Sequence, residues 1–295
     1  MFSDFRHAVR ILRQAPGFTL LVVVVLAIGI GATTSIFSVV DGVLLKPLPF
    51  PDPDRLIAIR SAIRGGDDVT ASVPDITDMQ AAHTVHDVVG YTGGSVTLSG
   101  RGDAKTLLTA FVTGDLMRTL GVPPLRGRSF TADDVRTGAA PVAVISERLW
   151  TERFGRQQSA VGAMATIDGQ PCTIIGIAPD SFDFPIQASR VEAWLPIATT
   201  QIGAQFAAVR GAHLMHTIAR LQPDTSIEQA AAELDAIGER LAREYPKSNA
   251  ARTLRIAPLQ EQIVHEHRTA LTVLLAAVAG VLLIACANVA NLLLA

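Results

Sequence analysis

Three histidine pairs, His83-x-x-His86, His213-x-x-His216 and His265-x-His267, are spaced closely enough to share a metal ion. A zinc site needs three or four protein ligands, and no cysteine or third ligand accompanies any pair, so the spacing predicts no metal. The acidic doublets Asp67-Asp68 and Asp133-Asp134 fall in polar stretches and are predicted to be solvated loop charge. Ser146 lacks the glycine frame of a nucleophile elbow and stands where a helix should begin, so it is predicted to cap that helix. Arg101-Gly102-Asp103 reads as a turn. No Gly-x-x-x-x-Gly-Lys run is present to cradle phosphates, which excludes ATP binding by that device. With 25 basic against 27 acidic residues and no basic stripe, nucleic acid is not an expected partner. The chain therefore reads as a non-enzyme with no catalytic residue, cofactor or metal.

The elements that position these groups are dictated by charge. No charged residue occurs from 14 to 40 or from 269 to 295, 27 positions in each case. Each run exceeds the roughly 20 apolar residues that a membrane-crossing helix needs. A transmembrane helix is predicted over 17–45, and a stalk with a second transmembrane helix over 263–295. Residues 1–16 carry Arg6, Arg10 and Arg13 against Asp4, a net charge of +2 that holds the N-terminus in the cytoplasm. Their spacing fits an amphipathic helix along the inner leaflet, or a plain topology signal. Residues 41–268 hold 22 basic and 26 acidic side chains, a mildly acidic balance that permits translocation, and 46–262 are placed outside the cytoplasm. A cleaved signal ending near Ala27-Ile28-Gly29 is the rival for the first run, but apolar character continues to Leu45, beyond a signal's apolar region.

Inside the runs, Ala27, Gly31 and Ser35 recur at i+4 intervals, as do Gly29 and Thr33, and Ala276 and Gly280. Small residues so spaced let another helix approach closely. Asn288 and Asn291 are predicted either to hydrogen-bond across helices or to reach the headgroups. Cys172 and Cys286 lie too far apart in this arrangement to pair, so no disulfide is expected.

Between the runs, the proline-rich stretch 46–54 is predicted to be a stiff extended elbow. Strands are predicted at 56–59, 85–91, 95–98 and 106–112, with turns at Gly93-Gly94 and Gly100-Arg101-Gly102. Short helices follow from Pro74 to Ala82, entered at Ser72 or Asp75, and from Gly114 to a Gly121 stop. Strands at 142–145, 165–167 and 172–177 flank a helix at 147–154, with a hairpin at Asp168-Gly169. A strand over 213–221 leads to an amphipathic helix, capped at Thr225 or Ser226 and stopped by Pro246, and then to a strand over 254–257. One helix is predicted from Leu259 to Ala295, about 55 Å at 1.5 Å per residue, longer than the membrane core. The fold class is α+β: a split βαβ layout enclosing a strand-rich insert.

The run from Pro16, PGFTLLVVVVLAIGIGATTSIFSVVDGVLLKPLPFPDPDRL, resembles the N-terminus of MacB-like and FtsX-like ABC transporter permeases. SVPDITDM from Ser72, GRSF from Gly127, VAVISERLW from Val142, RFG from Arg153, IIGIAPDSFDFP from Ile174, AELDAIGERLAREYP from Ala232 and LLIACANVANLLLA from Leu282 continue the likeness in order. Val73, Ile76 and Met79 depart from it, standing where aromatics are frequent. The resemblance implies a MacB-like periplasmic core domain between two transmembrane helices. Its porter-like subdomain would comprise 55–122 and 205–262, with a sabre-like insert at 123–204. It implies a permease subunit of mechanotransmission type in the bacterial inner membrane, with 46–262 extracytoplasmic. Expected partners are a separate cytoplasmic ATPase, a second permease copy or half, a periplasmic adaptor and membrane lipids. Family members continue with further spans, so the chain is expected to be an N-terminal fragment unable to transport alone. An anchored binding or sensor module without a transporter partner is the alternative, and a tethered hydrolase finds no catalytic constellation.

Overall fold

The computed structural model describes residues 48–63, 68–100, 102–186 and 189–263, and in the terminal runs only 16–17, 20, 23–24, 27, 29–31, 34, 273, 276–280, 283–284 and 287. The chain divides into two compact units, Met1–Pro47 with Ile263–Ala295, and Leu48–Gln262. Among the described residues no helix is long and apolar enough to cross a membrane. The predicted spans, and the predicted helix beyond Ile263, lie largely outside those residues.

Within Leu48–Gln262 the strands are β1 (Leu56–Ile63), β2 (Asp68–Val69), β3 (Val85–Ser99), β4 (Lys105–Val112), β5 (Arg126–Gly127), β6 (Val142–Ser146), β7 (Met164–Ile167), β8 (Gln170–Ala178), β9 (Ala193–Pro196), β10 (His216–Leu221) and β11 (Arg252–Pro258). The helices are α1 (Val73–Met79), α2 (Leu116–Leu120), α3 (Glu147–Phe154), α4 (Gln201–Phe206), α5 (Ile227–Glu244) and α6 (Pro246–Asn249). The result is a mixed α/β fold, and its main sheet runs β11-β1-β10-β3-β4-β9-β6-β8-β5.

Two cores divide this sheet. In the first, β1-α1-β3 and β10-α5-β11 interleave as the antiparallel order β11-β1-β10-β3, the arrangement of a split βαβ pair. Ile76 and Met79 of α1 and Ala230 and Leu234 of α5 bury against Ile57, Ile59 and Ala219. Helix α5 starts where its sequence allows reciprocal capping: Ser226 Oγ accepts from Gln229 N, and the Gln229 side chain accepts from Ser226 N. Ser72 caps α1 by accepting from Asp75 N, and Ser146 caps α3 by accepting from Leu149 N.

The second core closes on itself. β3 pairs β4, β4 pairs β9, β9 pairs β6, β6 pairs β8, β8 pairs β7, and β7 returns to β3 through Leu98↔Ile167 and Ser99↔Thr166. Asp168 and Gly169, both at positive φ, make the β7–β8 turn as predicted. Val96, Leu107, Ile145, Ile174 and Leu195 fill the ring with Leu149, Trp150 and Phe154 of α3.

The predicted break at Gly93-Gly94 is absent: β3 is one strand of 15 residues that serves both cores. A Cβ on Gly94 would come within 2.6 Å of the Phe111 ring, so the glycine makes room for an aromatic from the neighbouring strand and does not end its own. The elbow also differs, because Asp52 is left-handed and Pro53–Arg55 forms a 3-10 turn, so that segment is bent where an extended one was predicted. β10 begins at His216, three residues later than predicted.

Candidate coupling site where the chain enters and leaves the domain

β1 is the first strand after the N-terminal run, and β11 the last before the C-terminal run. They are adjacent and antiparallel, with Ile57 opposite Pro258 and Ile63 opposite Arg252. The domain's first and last strands are therefore neighbours on one sheet.

The incoming segment is pinned by arginines. Arg220, on β10, is buried, and its Nε donates to Thr119 O at 3.0 Å and its Nη1 to Pro51 O at 3.1 Å and Asp52 O at 3.3 Å. Burial, then the neighbouring Arg55 guanidinium, hold its pKa below the usual value. Arg55 Nη2 donates to Leu221 O at 2.7 Å and lies 3.4 Å from His86 Nε2. An aromatic chain binds the same segment: Phe50 meets Phe184 edge-on at 6.1 Å, Phe184 meets Tyr91 at 5.0 Å, and Tyr91 stacks on His216 at 5.4 Å. The segment thus touches Phe184, which in turn touches Tyr91 of the shared strand β3.

The outgoing strand is held from above by α5, where Gly238 allows close approach: a Cβ there would lie 3.2 Å from Leu254 Cγ. A buried polar cluster ties this half to α1. Asp75 Oδ1 accepts from Arg210 Nη1 at 2.6 Å and Asn249 Nδ2 at 3.0 Å, and Asp75 Oδ2 lies 3.3 Å from His213 Nε2. Arg210 also pairs with Asp78 at 2.7 Å and lies over the Tyr245 ring at 3.8 Å. Periodicity could not find this cluster, because its members come from α1, the segment before β10, the end of α5 and α6.

Between the cores, on the α1 side of β3, a cleft of about 490 Å³ is lined by Gln80, His86, Asp87, Asp115, Arg118 and Thr131, among others. Its charges are already committed. Asp87 Oδ1 pairs with Arg118 Nη2 at 2.5 Å, and Asp87 Oδ2 lies 2.9 Å from His86 Nδ1. Asp115 accepts from Arg118 N as the cap of α2.

The described histidines weighed above as metal ligands are engaged with their neighbours. His83 donates its backbone N–H to Glu233, and His213 Nδ1 lies 2.9 Å from Gly211 O. Among the described residues no group of three His, Cys, Asp or Glu side chains could hold a metal. His265 and His267 lie outside them. Asp133 is exposed as predicted, but Asp134 is not solvated loop charge: its side chain is only 10% exposed and holds Arg128 through both oxygens. Cys172 is a free, buried thiol, and burial pushes its pKa up to about 12. Of the predicted helix-packing residues, Ala27, Gly29, Gly31, Ala276 and Gly280 are described as helical, whereas Thr33, Ser35, Asn288 and Asn291 lie outside the described residues.

Comparison with known proteins bears on this architecture. The macrolide export ATP-binding/permease protein MacB of Hahella chejuensis (strain KCTC 2396) is 27% identical over 184 residues, covering 61% of this chain and 27% of that protein. A second relative, from Pseudomonas entomophila (strain L48), is 26% identical over 190 residues, covering 61% and 28%. The chain thus spans little more than a quarter of the length of the curated relatives it matches. The crystal structure of the periplasmic region of MacB from Actinobacillus actinomycetemcomitans superposes with a TM-score of 0.51 at 16% identity, covering 79% of this chain and 98% of that one, a likeness of fold. A family model described as the MacB-like periplasmic core domain matches residues 19–237, and with most of its length so matched this chain belongs to that family.

Proposed function

We propose that the chain is part of a permease subunit of an ABC transporter that works by passing motion rather than by chemistry. In this reading residues 46–262 lie outside the cytoplasm, held between membrane-crossing helices at 17–45 and 263–295. A separate cytoplasmic ATPase drives them, a second permease copy or half completes the assembly, and a periplasmic adaptor receives the motion for efflux or export. The chain itself is not an enzyme.

The observation that carries this reading is the pairing of β1 with β11 from Ile57↔Pro258 to Ile63↔Arg252. Two helices leading into adjacent antiparallel strands cannot slide past one another without shearing that ladder. The sheet resists such shear, so the helices and the domain move together as a lever. Arg220 and Phe50 extend the grip to the incoming segment, so that motion reaches both cores.

The test begins with topology. A cysteine at Asp180, in a Cys286→Ser background, should react with a membrane-impermeant thiol reagent on cells whose outer membrane has been permeabilised. Failure to react overturns the arrangement. Spin labels at the same position in two copies, reconstituted with the partner ATPase, should then change separation when ATP is added. An unchanged separation would favour an anchored sensor instead.

A further inference from the structure

The six-stranded ring has two ends, and they are treated differently. α3 follows directly from β6 and packs Leu149, Trp150 and Phe154 into the ring's core. At the end marked by the Asp168–Gly169 turn, a cavity of about 550 Å³ opens, with Val96, Phe111, Leu195, Ile167 and Cys172 in its wall, one residue from each of β3, β4, β9, β7 and β8. Pro141, immediately before β6, completes the circle. Thr199 and Thr200, then Gln201, Gly203 and Phe206 of α4, and Leu214 line the remaining side.

Two glycines build this shape. The Phe111 ring lies over Gly94, where any side chain would displace it. Gly203 lets α4 fold back so closely on the turn that follows β9 that a Cβ would fall 2.0 Å from Ile197 O. The volume sits within the roughly 300–1,000 Å³ of small-molecule sites, and small barrels hold one ligand in this way. The polar groups around it, Thr92, Gln170 and Gln201, are uncharged. Among the described residues of the lining the one carboxylate is Asp168, whose Oδ1 already accepts from Thr97 N at 2.7 Å, and none carries a basic side chain. None of these described side chains neutralises an anion.

We propose that the mouth of this ring is a binding cup for an uncharged, mainly apolar small molecule with a few hydrogen-bonding groups at one end. The inference is independent of transport: a cup of this chemistry binds its ligand whether the domain moves or stands still.

Photoaffinity labelling of the full chain in lipid nanodiscs tests it, with a long-chain alcohol carrying a diazirine as the probe. Peptides containing Phe111, Leu195 and Phe206 should be labelled saturably, with competition by excess unlabelled alcohol and not by the matching fatty acid. Thr92→Trp, which fills the cup from its wall, should abolish that labelling. Gln201→Trp, at an exposed position on α4 where barrel packing is untouched, should do the same. Labelling that is absent from these peptides, or that excess alcohol fails to compete, overturns the proposal. Equal competition by the fatty acid overturns the ligand chemistry, and retention of labelling in both variants overturns the site.

Discussion

The sheet β11-β1-β10-β3 ends at β11 and lies under α1 and α5, whereas the ring β3-β4-β9-β6-β8-β7 has no free edge among its own strands and takes α3 into its core. Only the open region offers neighbouring strands through which a chain can arrive and depart side by side. The closed region can only be inserted. Their polar fastenings differ in the same sense: Asp75 is buried among partners from distant segments, while Asp134 clamps a local loop through a half-exposed arginine. What joins the regions is the β3–β4 hairpin, whose Val88 lies in one core and whose Val96 and Leu107 lie in the other.

That shared hairpin makes the strongest prediction. Leu149→Ala in the ring and Leu234→Ala under the sheet should each cost roughly 2–5 kcal/mol, the range for truncating a fully buried leucine. Hydrogen exchange on the full chain should show protection falling in both cores for either variant. A loss confined to the mutated core would show that the hairpin does not couple them.

Asp75→Asn should come next. Arg210 would keep Asp78 and the Tyr245 ring, so the cost should be about 2 kcal/mol, less than the 3–5 kcal/mol of stranding a fully buried charge. Denaturant midpoints would measure it, and an unchanged midpoint would remove this cluster from the account of how the open region is held.

The smallest effect belongs to Asp134→Asn. Arg128 hydrogen bonds, helped by Thr131, lower the Asp134 carboxyl from its ordinary 3.8 to about 2. A depressed carboxylate contributes stability that is present above the ordinary value and is lost as pH falls through the folded one. The melting difference between wild type and variant should therefore be present at neutral pH and close as pH falls from about 4 to about 2. Because Arg128 is half exposed, solvent screens the pair and the difference should not exceed about 1 kcal/mol. A difference that persists at the acid end would show that the clamp works by packing rather than by charge.

The open region was the more legible in the sequence. Its helices announce themselves by caps and periodicity, as with Ser226, Gln229 and the apolar stripe of α5, and the return of β11 follows from repeating the strand-helix-strand unit. The ring was not legible, because two residue pairs, Leu98↔Ile167 and Ser99↔Thr166, close it, and so short a pairing leaves no pattern. Gly93-Gly94 misled for a physical reason: a glycine that makes room for an aromatic and one that turns the chain look alike until Phe111 is placed. The coupling site was half legible. The return of the last strand to the first fits the split βαβ layout, but the buried Arg220 and the Phe50 to His216 aromatic chain join residues too far apart in sequence for spacing to reveal.

The pairing of Ile57 with Pro258 has an evolutionary reading. Neighbouring strands lie about 5 Å apart, a gap that a few residues can bridge. Everything between those two positions is therefore topologically a graft, which a lineage can enlarge, exchange or delete without re-spacing what flanks it. The ring repeats the arrangement one level down, since the open sheet hands the chain over along β3 and takes it back at β10, the strand paired with β3. Such nesting lets the outer framework stay fixed while the innermost piece diverges to suit whatever it meets.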